Sequence, residues 1–212
     1  MGAGERRDRE AAAIRVADYA RERRGIDLVV ARRSERYVSD AENGALYRPT
    51  DGAGHWTKMK LPEGANGPTG LALDPRDERR MYLSAWGAAV QDRAAGGGVF
   101  VSEDGGANWR NVFRDSQHVY DVTVDARNPA VIYNCGFESG AWRSADRGKT
   151  WTRIRGFNFK WGHRVIVDPT DEGKIFVTTF GGSVWHGPAA GDPQATEDIS
   201  RGNASGGQDL PR

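Results

Sequence analysis

A single cysteine, Cys135, in 212 residues leaves the chain no internal disulfide and no thiolate metal cluster. Charge of one sign is equally scarce: 30 basic residues stand against 29 acidic ones, for a formal net charge of +1. That balance gives no electrostatic reason to expect a nucleic-acid or anionic-membrane partner. No apolar run approaches the roughly 20 residues of a membrane span. The opening residues, Met1 to Arg7, carry charge without a following apolar core, so no secretion signal is recognisable and the chain reads as soluble, its compartment open. The histidines are scattered, with no clustered third ligand for a metal. No glycine-rich segment follows a strand to open a helix, so no nucleotide and no other cofactor is expected. Glycine, by contrast, is abundant at 28 residues, as in an all-β chain of short strands and tight turns.

The chain repeats itself with a period of about 42 to 53 residues, the range of propeller blades. In each unit an apolar strand ends in Asp, at Gly70 to Asp74, Tyr120 to Asp125 and Arg164 to Asp168. A second strand follows within a few residues, at Met81 to Trp86, Val131 to Cys135 and Lys174 to Phe180, so each pair reads as a hairpin. A glycine-led third strand comes next, at Gly98, Gly140 and Gly182, with an earlier copy at Gly44. Twice it runs into the pattern Ser-x-Asp-x-Gly-x-x-Trp: Ser102, Asp104, Gly106 and Trp109, then Ser144, Asp146, Gly148 and Trp151. A degenerate copy over Thr50 to Trp56 keeps Asp51 and Trp56, and the fourth unit has none. The chemistry of this box is that of a turn. Ser and Asp bond the turn's own amides, Gly permits positive φ, and the Trp ring closes the turn onto the sheet.

With these boxes the sequence resembles the Asp-box, or BNR-repeat, β-propellers over residues 26 to 188. That superfamily includes sialidases, xyloglucan-active glycoside hydrolases, sortilin-type receptors and a photosystem II assembly propeller. The resemblance implies an all-β segment of about four four-stranded antiparallel blades, at about 26–60, 70–113, 119–154 and 163–188, the last incomplete. It also implies that family members often work outside the cytoplasm. Such rings close with more blades than four, so the chain reads as the C-terminal part of a longer propeller, or as one that closes compactly or with another copy. Residues 1–25 read as a peripheral, moderately amphipathic helix, with Ile14, Val16 and Tyr19 among many charges. Residues 189–212 read as a disordered polar tail. Asn203-Ala204-Ser205 fits a glycosylation acceptor, a pattern common by chance.

Propeller topology sorts residues by face. The hairpin turns and the boxes share one side. The segments entering the first strands, and those between second and third strands, share the other, where propellers bind ligands around the central channel. That side collects His118, Tyr120, His163, Arg164, Trp86 and Trp161 as ligand-binding candidates. Glu138 is the candidate catalytic acid or base, with Asp40 or Glu42 as a weaker second carboxylate. Arg164 is placed to pair with an acid such as Asp121 or to hold an anionic group. Aromatic faces with His, Arg and carboxylates suit a sugar. The expected activity is glycan recognition, with glycoside hydrolysis left open. The competing expectation is a non-catalytic propeller that binds a protein or peptide, using the loop Gly87 to Gly97. The three-arginine motif and Tyr-Glu pair of sialidases are absent, and the catalytic aspartates of xyloglucan-active enzymes cannot be placed.

Overall fold

The computed structural model describes residues 26–32, 35–40, 44–49, 55–90, 93–114, 118–137 and 139–195. The expected helix within 1–25, residues 196–212, most of the degenerate box copy, Glu42 and Glu138 lie outside the described residues.

The described chain is all β. The first sheet is β1 (Ile26–Arg32), β2 (Glu35–Asp40), β3 (Ala45–Pro49) and β4 (Trp56–Lys58). The second runs β5 (Ala65–Leu73), β6 (Met81–Val90), β8 (Gly98–Ser102) and β9 (Arg110–Phe113), with β7 (Arg93–Ala95) pairing the far end of β6. The third is β10 (Val119–Val124), β11 (Ile132–Gly136), β12 (Gly140–Ser144) and β13 (Thr152–Arg153). Among the described residues the fourth has three strands, β14 (Gly162–Val167), β15 (Lys174–Thr179) and β16 (Val184–Pro188). Neighbouring strands are antiparallel and follow chain order, with β7 off the main path of the second sheet, as in propeller blades.

Period-2 alternation explains how these sheets stack. In β6, Met81, Leu83 and Ala85 pack with Leu46 of the first sheet, while Tyr82 between them packs with Val122 and Ile132 of the third. Tyr133 and Cys135 of the third sheet pack in turn against Val165, Ile175 and Val177 of the fourth. Interior strands are therefore covered on both faces, and β8 and β11 are buried along their whole length. Burying each such side chain stabilises the stack by about 1.5–3 kcal/mol.

Polar devices recur at the sheet junctions. Asp74, Asp125 and Asp168 each accept the amide two residues on, from Arg76, Arg127 and Thr170, at 2.8, 2.9 and 2.8 Å. Arg76 Nη2 then reaches the Arg127 carbonyl at 2.8 Å, and Arg127 Nη2 reaches that of Asp168 at 3.0 Å, so each sheet clamps the next. In the two complete boxes, Gly106 N and Gly148 N each donate to the box serine at 2.8 Å. Asp104 and Asp146 accept the serine hydroxyl and the amide of Asn108 or Thr150. Trp109 and Trp151 donate across the junction to the carbonyls of Lys60 and Val112 in the preceding sheet, at 3.0 and 2.8 Å.

Three segments differ from their sequence reading. The first strand of the second sheet starts at Ala65 rather than Gly70, because register shifts at Ala65/Gly67 and Pro68/Gly70 let the ladder pass Pro68, which has no amide to give. Part of the loop Gly87 to Gly97 is a hairpin, since β6 continues to Val90 and pairs with β7. In the polar tail, residues 189–195 turn back on the third sheet: Ala189 is buried, and Asp192 N donates to the Arg155 carbonyl at 3.0 Å.

Candidate binding site at the entry end of the first strands

The first strands β5, β10 and β14 lie beside one another, and each carries a bulge at an equivalent place. The register slips between Pro68 and Gly70, between Val119 and Asp121, and between Gly162 and Arg164. The extra residues are Thr69, Tyr120 and His163. A bulge re-aims a side chain that a regular pleat would send into the sheet face. Tyr120 and His163 thus turn toward each other, with ring centroids 6.2 Å apart.

Around them gathers a continuous group of rings. Trp86, midway along β6, meets His118 at 5.0 Å and Tyr120 at 5.3 Å, both edge-on. Phe180 packs on Tyr120 at 4.6 Å and on His163 at 4.8 Å. Phe137 and Trp161 stack nearly parallel, 5.5 Å apart and 8° from coplanar. Trp86, Phe137 and Phe180 remain 36%, 37% and 44% exposed, so the group presents ring surface to solvent. His118, Tyr120, His163, Trp86 and Trp161 are brought together in this group. Phe137 and Phe180 join them, and only their place after a second strand marks them in the sequence. For the second-carboxylate candidates, β2 contains Asp40, and Glu42 lies outside the described residues.

Beneath the rings runs a polar line. At the position after each bulge stand Gly70, Asp121 and Arg164. A side chain at Gly70 would collide with Asp121, whose Oδ1 lies 2.7 Å from where a Cβ would sit. The bare glycine therefore makes room for the carboxylate. Arg164 Nε donates to Asp121 Oδ2 at 3.2 Å, with the Asp121 side chain 9% and that of Arg164 43% exposed. Thr69 and Thr123 tie the strands together by donating to the carbonyls of Val119 and Val165, each at 2.7 Å.

Burial raises the Asp121 carboxyl to about 6 in spite of the arginine beside it. It also raises the Tyr120 phenol and the Cys135 thiol behind Asp121. Burial, with Arg164 adding to it, lowers His163 and so favours its neutral form. Among the described residues no group of three His, Cys, Asp or Glu could hold a metal ion. A groove of about 420 Å³ lies farther along β10 and β14, lined by residues such as Val124, Ile166, Val167 and Pro169. It carries none of these rings.

No family model matches the chain. It is 27% identical over 213 residues to a "probable oligoxyloglucan-reducing end-specific xyloglucanase" of Neosartorya fischeri, covering 82% of this chain and 26% of the relative. It is also 27% identical over 150 residues to the oligoxyloglucan-reducing end-specific xyloglucanase of Emericella nidulans, with 64% and 17% covered. The chain thus spans about a quarter or less of these curated relatives. Among solved structures it is similar to the xyloglucanase of Xanthomonas campestris, with a TM-score of 0.63, 22% identity, and 79% of this chain and 31% of that one covered. It is similar also to YCF48 of Cyanidioschyzon merolae, at a TM-score of 0.55, 13% identity, and 76% and 50% covered. The fold is that of a β-propeller segment. Its sheets are blades, and the ring group sits where their first strands begin.

Proposed function

We propose that the chain is the glycan-recognising part of an Asp-box propeller, with the sugar held at the entry end of the first strands. The observation that carries this reading is the cluster of Trp86, Tyr120, Phe137, Trp161 and Phe180 with exposed ring surface, interleaved with His118 and His163 and adjoined in the chain by Arg164. Ring faces accept the C–H surfaces of a pyranose, and the polar groups between them bond its hydroxyls. The xyloglucanase relatives support a carbohydrate of that class. Glu138, next to Phe137 in the sequence, is the candidate general acid or base of hydrolysis.

Titration calorimetry with a xyloglucan oligosaccharide tests the reading. Trp161→Ala is expected to weaken binding about tenfold or more, since stacked aromatic contacts contribute on the order of 1–2 kcal/mol. Unchanged affinity in Trp161→Ala and Trp86→Ala alike would place the sugar elsewhere. Capture of a peptide with no affinity for any oligosaccharide would favour the non-catalytic alternative. If the protein turns over a glycoside, Glu138→Gln should abolish turnover and spare binding.

A further inference from the structure

Arg164 is held in an unusual way for a surface arginine. Its Nε is engaged from behind by Asp121, a carboxylate almost completely buried. Gly70, Thr123 and the buried Cys135 surround that carboxylate, so Asp121 has no freedom to leave its place. Among the described residues nothing bonds the two Nη nitrogens, and the side chain is 43% exposed. Arg164 follows His163, a residue of the ring group, in the chain, and its charge acts on that imidazole. A guanidinium pinned through Nε presents its outer edge as a ready fork, and the ligand that matches such a fork is a carboxylate. Keeping a buried carboxylate ionised for this purpose is costly, and strained electrostatics of this kind gather at functional positions.

We infer that the sugar recognised by this site is acidic: a uronic-acid residue whose carboxylate is received by Arg164 while its ring lies on the aromatic group. Asp121 is then a positioning residue, fixing the guanidinium without touching the ligand. This rests on the glycan reading above. It goes beyond that reading because the ring group by itself would take a neutral sugar equally well.

The test compares two probes on the full chain at neutral pH. One is an oligosaccharide bearing glucuronic acid, and the other is the same oligosaccharide with that carboxylate reduced to a primary alcohol. The acidic form is expected to bind at least about tenfold more tightly, the scale of a charge-assisted hydrogen bond. Arg164→Gln should erase that preference, the acidic form then binding no more tightly than the reduced form. Arg164→Lys keeps the charge and the pairing with Asp121 but loses the fork, so it should retain only part of the preference. A cooperative thermal unfolding transition in each variant checks that it is folded. Equal binding of the two probes, or a preference that survives in Arg164→Gln, overturns the acidic-sugar assignment and leaves the glycan reading standing. Binding of neither probe removes the glycan reading itself, and an acidic peptide bound in their place would assign the fork to a protein partner.

Discussion

Asp121 stabilises a geometry at the expense of the fold. An unfolded aspartate titrates near 3.8, and burial moves the folded one up to about 6. Between those values the unfolded chain has released its proton and the folded chain has not. Stability therefore falls as pH rises through that window, and the deficit is complete above about 6. A separation of about 2 pH corresponds to roughly 3 kcal/mol. Asp121→Asn removes the charge and keeps the shape. Denaturant unfolding should find this variant more stable than the natural chain at pH 7 by up to about that amount, with the two converging toward pH 4. The groups facing Asp121 are Arg164 and Cys135. Burial raises the Cys135 thiol away from the window, so the difference belongs to the carboxylate. A difference independent of pH would mean that Asp121 is not buried as described.

The turns and strands show which parts of the structure were legible in the sequence and which were not. The boxes were legible because their bonds are local. Ser144, Asp146, Gly148 and Thr150 satisfy one another within seven residues, and the pattern states the partners. The hairpins were legible for the same reason, through alternation and Asp-led turns. The bulges at Tyr120 and His163 were not, because a register slip depends on the partner strand, and nothing in either strand alone marks it. Phe180 entered the ring group and part of the 87–97 segment paired as strand for that same nonlocal reason. The locality of the box makes a prediction at this scale. Bonds from Thr150 and Ser144 hold the Asp146 carboxyl down to about 2, so its contribution is present above the ordinary carboxylate range and is lost as pH falls toward 2. Asp146→Ala should lower the unfolding temperature at neutral pH, and the gap to the natural chain should close on acidification. A gap that stays constant down to pH 2 would show that the turn draws its stability from the tryptophan anchor at Val112 instead.

Across the whole molecule each sheet covers the face of the one before it, and the fourth sheet shows what the uncovered counterpart looks like. The row Thr123, Tyr133 and Arg143 of the third sheet corresponds in register to Ile166, Phe176 and His186 of the fourth. The row Asp121, Cys135 and Ala141 corresponds likewise to Arg164, Thr178 and Val184. Tyr133 is 2% exposed and Ala141 0%, whereas Ile166 and Val184 are 45% and 56% exposed, and Phe176 is covered chiefly by the His186 ring stacked 4.1 Å from it. This face has the apolar make-up of a blade junction, and water is a poor substitute for the Val and Ile side chains that cover the same rows elsewhere. The arginine clamp changes here as well, since Thr170 stands where Arg76 and Arg127 stand in the second and third sheets. The face can therefore associate through apolar contact but lacks the polar latch that fixes the other junctions. Sedimentation of the chain over a concentration series should accordingly show weak, reversible self-association. Replacing Ile166 and Val184 together with Lys should return it to a single species of constant mass, with little loss of stability, because neither side chain is buried in the isolated chain. A mass that is constant with concentration in the natural chain, or association that persists in the double variant, would show that this face is not what brings copies together.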